Sequence, residues 1–258
     1  RRAVSGQVYD RLRRPRDTST LTLGHVYDAL LDRTVRLSRR GAMTIEANAN
    51  HRQATGVYYT PPAIIDHMIN AAMTPLLRDA NDGTTITLLD PACGTGWFLL
   101  SAIDRFKTWN QTNNEGKRPK ALKLHLIGAD IDPVAVHVAR LSLTLANNQP
   151  QFGGSPGLPI TFEVISGDSL LGPEAADDGI DWPREFPAIM NAGGFDVVIG
   201  NPPWVSYSGR QAEPLAMNQR EYIEQRFTTT GWLTAHGLFI ERATRDLSRR
   251  ITAMVVPD

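Results

Sequence analysis

Cysteine is almost absent from the chain. Cys93 stands alone among 258 residues, which excludes a disulfide framework and any cysteine-rich zinc site. Lysine is nearly as scarce, with four residues at positions 107, 117, 120 and 123 against 23 arginines. No apolar run approaches the ~20 residues that a membrane-spanning helix needs. No secretory signal opens the sequence, so the expected setting is reducing and cytoplasmic, with no membrane partner. The chain is 41% apolar and 21% charged, a globular composition that excludes an extended disordered chain. At roughly 150 residues per domain the length admits one rich domain or two small ones.

The net charge of zero conceals an asymmetry. Residues 1–52 carry 11 arginines against 5 acidic residues, a net of +6, so the other 206 residues sum to −6. Arginine presents a planar fork suited to phosphate oxygens, and a basic arm is compatible with nucleic acid. A solvated helical face explains the same charge, and charge alone favours that plainer reading. The chain begins at Arg1 and stops at Asp258 directly after a strand-like run, which predicts a piece of a longer protein.

Residues 1–50 read as a charged helical segment with apolar positions at Val26, Leu30 and Val35. Gly41 and the run of Asn48 and Asn50 to Thr55 mark a polar linker, so the expected division is a helical, Arg-rich segment over 1–55 and a catalytic domain over 56–258. Ile64, Ile65, Met68, Ile69, Ala72, Met73, Leu76 and Leu77 then recur at helical spacing behind Pro61 and Pro62. Strand and helix patterns alternate beyond Gly83, with strands at Thr85–Leu89, Leu122–Ala129, Thr161–Ile165, Phe195–Ile199 and Ile251–Val256. Helices fall around Phe98–Phe106, from Pro133 with Val134, Val138, Leu141 and Leu145 on one face, and around Leu238–Leu247. Residues 110–120 are polar and loop-like. Apolar strands without alternation indicate a mostly parallel sheet covered on both faces. The expected fold is α/β, doubly wound and Rossmann-like, behind an N-terminal helical segment.

In such sheets ligands gather beyond the carboxyl ends of the strands. The first strand ends in Asp90-Pro91-Ala92-Cys93-Gly94-Thr95-Gly96, where Gly94 and Gly96 permit a tight turn and a close approach to a ligand. The second ends in Asp130-Ile131-Asp132-Pro133. Asp130 can accept hydrogen bonds from ribose hydroxyls, whereas Asp132 reads first as the N-cap of the helix that Pro133 begins. The third ends in Gly167-Asp168-Ser169, whose carboxylate can accept from an adenine amino group.

The fourth strand runs into Asn201-Pro202-Pro203-Trp204. Two prolines end regular structure and stiffen the backbone. The Asn201 amide oxygen and the Pro202 carbonyl are acceptors, and Trp204 adds a flat ring. Acceptors beside an aromatic suit a planar substrate that bears an amino group.

Taken in order, Tyr58-Tyr59-Thr60-Pro61, Asp90–Gly96, Asp130–Pro133, Gly167–Ser169 and Asn201–Trp204 resemble the gamma subclass of S-adenosylmethionine-dependent DNA adenine-N6 methyltransferases. The resemblance runs from about Gly56 to Asp258. Trp182-Pro183-Arg184-Glu185-Phe186-Pro187 is also similar to the Eco57I-type modification proteins of restriction-modification and phage-defence systems.

The resemblance implies that Thr60 bonds the methionine carboxylate of S-adenosylmethionine, and that Asp90 and the backbone of Ala92, Cys93, Gly94 and Gly96 surround its methionine moiety. It places Asp130 on the ribose, Ile131 against the adenine ring, and Asp168 and the Ser169 N–H on the adenine edge. Asn201 and Pro202 then hold the amino group of a flipped adenine, with Pro203 stiffening the corner and Trp204 stacking on the base. Double-stranded DNA is the implied partner, alongside restriction or defence subunits. A target-recognition domain, common in the family, is expected beyond Asp258. Thr234-Ala235-His236 stands where relatives often carry an aromatic, which leaves Phe239 and Trp232 as candidates for the second face of a base sandwich. Two alternatives compete: a scaffold that binds cofactor and DNA without turnover, and a methyltransferase acting on RNA or on a protein glutamine.

Overall fold

The structure, a computed structural model, describes residues 23, 24, 27, 33–37, 43–47, 60–113, 121–148, 159–209, 212, 214–229 and 231–257. Strands β1 (Arg33–Leu37) and β2 (Met43–Ala47) pair antiparallel, with Val35 opposite Ile45. This corrects the helical reading of the N-terminal segment over these residues. Thr34, Val35, Thr44 and Ile45 are β-branched, a type that favours the pleated conformation. Residues 23, 24 and 27 are helical. Tyr58, Tyr59 and the polar stretch 48–55 lie outside the described residues.

Helix α1 (Pro62–Asp79) leads into β3 (Thr85–Asp90), then α2 (Trp97–Asn113), β4 (Lys123–Asp130), α3 (Pro133–Asn147) and β5 (Ile160–Ser166). Two short helices follow, α4 (Trp182–Glu185) and α5 (Pro187–Asn191), before β6 (Phe195–Gly200). Then come α6 (Met217–Arg226), α7 (Ala235–Arg242), a π-turn over Ala243–Leu247, and β7 (Ser248–Met254). Strands β3 to β7 form one sheet in the order β5-β4-β3-β6-β7, and every pairing is parallel. The doubly wound α/β architecture is therefore as its alternating pattern indicates. Helix α2 continues to Asn113, into the polar stretch expected to be a loop.

Both faces of the sheet are covered. Leu88, Leu126, Val197 and Ile199 pack with Met73, Leu99, Phe106 and Leu143 from α1, α2 and α3. Leu89, Ile127, Ala129 and Val198 face the other way, against Trp182, Phe186, Ala243 and Leu247. This two-sided burial explains why β6 is apolar without a polar stripe. Each large side chain so buried contributes ~1.5–3 kcal/mol. On α3 the buried residues are Ala135, Val136, Ala139, Ser142, Leu143 and Ala146. The apolar stripe Val134, Leu141 and Leu145 instead faces outward.

The chain lays down β3, β4 and β5 in one direction and then returns to place β6 and β7 on the other side of β3. The reversal falls between β3 and β6, where Leu88 lies beside Val197 and Leu89 beside Val198. Near their amino ends these two strands are latched by buried Asp196. It accepts from the Thr87 N–H at 3.0 Å and the Thr87 hydroxyl at 3.1 Å, and pairs with Arg249 at 2.8 Å. The carboxyl ends at this reversal are thus held in register, and a crevice there is where ligands of open α/β sheets bind.

Candidate active site

The carboxyl end of β3 is a compact turn built around a buried acid. Asp90 is 1% exposed, and its Oδ1 accepts the Ala92 N–H at 3.1 Å. The chain turns through Gly94 at φ +51° and Gly96 at φ +89°, left-handed conformations that favour glycine. A Cβ on Gly94 would meet nothing within 4 Å, so open space lies over this turn, whereas one on Gly96 would come within 3.3 Å of Ala139. Cys93 points the other way: its N–H donates to the Ala129 carbonyl at 2.9 Å, and its sulfur crowds Gly128. Burial pushes the Cys93 thiol pKa well up, so it stays a protonated packing group.

Asp130, at the end of β4, ties the neighbouring turns together. Its Oδ2 accepts the Gly94 N–H at 2.7 Å and its Oδ1 the Asp132 N–H at 2.9 Å. Each oxygen keeps acceptor capacity toward a further donor. Asp132 caps α3 as its position suggests, accepting the Val134 N–H at 2.8 Å. Between them Ile131 is 63% exposed, an aliphatic side chain held in the open beside the acid.

Beyond β5, Asp168 Oδ1 accepts the N–H groups of Leu170 at 2.7 Å and Leu171 at 3.1 Å. Its backbone pairs with residues 178–180. Gly167 is obligatory there, since a Cβ would lie 2.6 Å from the Asp178 carbonyl. The Ser169 carbonyl receives the indole N–H of buried Trp182 at 3.3 Å. Thr60 is buried immediately before α1. Burial raises the pKa of all three strand-end acids, Asp90 to about 8.

At the end of β6, Pro202 is buried while Asn201, Pro203 and Trp204 are half-buried, so the corner is partly open. The chain just past it is tied to residues 233–235. The Tyr207 N–H donates to the Leu233 carbonyl and the Ala235 N–H to the Val205 carbonyl, both at 2.9 Å. Thr234 caps α7, accepting from Gly237. Of the two aromatics considered for a second stacking face, Phe239 is 8% exposed, in a cluster with Tyr222, Ile223 and Phe227. Trp232 is 67% exposed and lies against Gly209, just past the corner. Core packing removes Phe239 from that role.

Two residues escaped the sequence reading. Gly200, the last residue of β6, has no room for a side chain because Asp90 Oδ1 would be 2.6 Å from its Cβ. Trp182 was read only for its resemblance, yet it reaches the Ser169 turn. A glycine directly before Asn201 was the available signal for the first. Nothing local to Trp182 signals the second.

These turns meet at one end of one sheet. Residues 125–258 match the family of Eco57I restriction-modification methylases. The chain belongs to that family. The matched residues include Asp130, Asp168 and the Asn201–Trp204 corner; Thr60 and the Asp90–Gly96 turn precede them. The chain is 26% identical over 191 residues to the adenine-specific methyltransferase PglX of Streptomyces coelicolor, covering 64% of this chain and 16% of that protein. It is 24% identical over 172 residues to the type I restriction enzyme MpnII methylase subunit of Mycoplasma pneumoniae, covering 66% and 26%. It therefore spans about a sixth to a quarter of the length of these relatives. Among solved structures, the ATP-dependent type ISP restriction-modification enzyme LlaBIII bound to DNA superposes with a TM-score of 0.52 at 16% identity, covering 92% of this chain and 16% of that one, which shows a shared fold. Among the described residues no helix is long and apolar enough to cross a membrane.

Proposed function

We propose that this chain is the catalytic part of a DNA methyltransferase that transfers a methyl group from S-adenosylmethionine to the N6 amino group of an adenine flipped out of double-stranded DNA, within a restriction-modification or phage-defence system. The observation that carries the reading is the contact between Asp90 and Gly200. It joins the glycine turn of β3 to the residue before Asn201, so donor and acceptor sites share the crevice at the reversal of strand order. The division into a segment over 1–55 and a catalytic domain over 56–258 belongs to the same proposal.

The residues suit S-adenosylmethionine. Open space over Gly94, the acceptor capacity of Asp130, exposed Ile131, and the second oxygen of Asp168 match a polar amino-acid moiety, a ribose and a purine in turn. Thr60 and the Ala92–Gly96 backbone would hold the amino-acid end, and Ser169 the purine edge. When bound, the cofactor supplies an electrophilic methyl group on a positively charged sulfur.

The amino nitrogen of adenine is a weak nucleophile because its lone pair is delocalised into the ring. Asn201 Oδ1 and the Pro202 carbonyl would accept its two N–H groups, favouring a pyramidal nitrogen with the lone pair directed out of the ring plane. Catalysis by this chain is then orientation and electrostatics. Trp204 would stack on the extruded base, an interaction typically worth ~1–3 kcal/mol.

In the full-length protein, Asn201→Ala is expected to abolish methyl transfer to DNA while leaving S-adenosylmethionine binding intact. Wild-type rates in that variant overturn the mechanism. Cofactor binding by the wild-type complex without transfer to any DNA favours a scaffold, and transfer to RNA or protein glutamine in its place redirects the substrate.

A further inference from the structure

The stretch around residues 23–27 was read only as part of a charged helix, yet it touches the glycine turn. Gly24 is buried, and a Cβ on it would lie 2.8 Å from Thr95 Oγ1 and 3.2 Å from the Trp97 ring. Its backbone therefore rests directly on the glycine turn at Thr95 and on Trp97, which opens α2, an approach that glycine permits. Leu23 and Tyr27 are half-buried beside it, and positions 23, 24 and 27 share one face of a helix. The Tyr27 hydroxyl donates to Asp132 Oδ2.

Asp132 is already committed elsewhere. Its Oδ1 caps α3 through Val134, and its own N–H donates to Asp130 Oδ1, whose partner oxygen holds the Gly94 N–H. A continuous path thus leads from the Tyr27 hydroxyl through Asp132 to the acid assigned to the ribose.

We propose that Tyr27 is a positioning residue of the cofactor site, setting Asp130 through Asp132, and that the segment bearing Gly24 and Tyr27 forms a wall beside the glycine turn. This rests on the function proposed above. It differs from a simple tether in one respect: a tether contributes stability, whereas a positioning residue changes how tightly the cofactor is held.

The test uses Tyr27→Phe in the full-length protein, which keeps the ring and removes the hydroxyl. Loss of one net hydrogen bond predicts a roughly fivefold weaker Kd for S-adenosylmethionine by calorimetry and a matching rise in its KM, with kcat at saturating cofactor within about twofold. An unchanged Kd with a lowered melting temperature makes the contact a tether and overturns the proposal. A wild-type protein that binds no S-adenosylmethionine overturns the proposed function as well. Should the variant fail to fold, hydrogen exchange on the wild type decides. Adding S-adenosylhomocysteine is expected to slow exchange at residues 23–27 together with 92–96 and 130–132, and protection of the latter two alone overturns the proposal.

Discussion

Gly200 and Asp90 meet across the boundary between β6 and β3 so closely that a Cβ on the glycine would stand 2.6 Å from the aspartate Oδ1. Asp90 is fully enclosed and cannot retreat without losing its bond from Ala92. Gly200→Ala is therefore expected to push the carboxyl group off its position, at ~1–3 kcal/mol of stability, the usual cost of overpacking a filled interior. Methyl transfer should fall further than the melting temperature implies, because the displaced groups lie in the turn assigned to the cofactor. Thermal melts and transfer rates on the same preparation check this. Full activity in the alanine variant contradicts the proposed coupling of the two turns.

The same enclosure sets a pH dependence. Burial holds the Asp90 pKa up at about 8, against an ordinary value of 3.8. Between those values the folded protein keeps a proton that the unfolded chain has lost, so this group's contribution to stability is lost as pH rises through that window. A positively charged ligand beside Asp90 favours the carboxylate and lowers its pKa. S-adenosylmethionine binding at pH 7 should therefore release a proton, and affinity should rise with pH until about 8. Calorimetry in buffers of different ionisation enthalpy reads the proton directly. Proton uptake, or affinity that falls over this range, contradicts the assignment.

How much of this was legible in the sequence depended on whether a residue's role is local. The glycine turn and the Asn201–Trp204 corner were readable because few residue types satisfy a left-handed turn or stiffen a chain after a strand. The parallel sheet was readable because two-sided burial erases alternation. Gly200 and Trp182 were not, since each acts outside its own turn, Gly200 on Asp90 across the sheet and Trp182 on Ser169 thirteen residues earlier. The N-terminal strands were misread for a different reason. Val26, Leu30 and Val35 fit a helical face, while the pairing of Val35 with Ile45 joins positions ten residues apart, which helical periodicity does not register.

Trp182 carries two separable roles. Its ring stacks on Phe186 at 5.9 Å and meets Phe195 edge-on at 6.0 Å, while its N–H serves the Ser169 carbonyl. Trp182→Phe retains an aromatic ring and removes the donor, leaving a buried carbonyl at a cost of ~1–3 kcal/mol. Trp182→Ala also opens a cavity, at ~3–5 kcal/mol. The phenylalanine variant should thus stay folded but show a raised KM for S-adenosylmethionine, since Ser169 is assigned to the purine edge. Chemical denaturation together with cofactor titration separates the two effects. An unchanged KM in a destabilised Trp182→Phe protein limits the residue to packing.

Trp232 and Phe239 supply a matched contrast, because both are aromatic and both follow the Asn201–Trp204 corner. Phe239 is packed among Tyr222, Ile223 and Phe227, so Phe239→Ala should cost ~3–5 kcal/mol of stability. Trp232 is mostly exposed and lies against Gly209, and Trp232→Ala should leave stability within ~0.5 kcal/mol. If the exposed indole meets DNA beside the flipped base, the same change should weaken DNA binding by the ~1–3 kcal/mol of a lost stacking contact, with S-adenosylmethionine affinity unaltered. Urea denaturation and DNA titration at one fixed salt concentration measure both, because phosphate contacts make affinity depend steeply on salt. DNA binding unchanged in Trp232→Ala removes the indole from the interface.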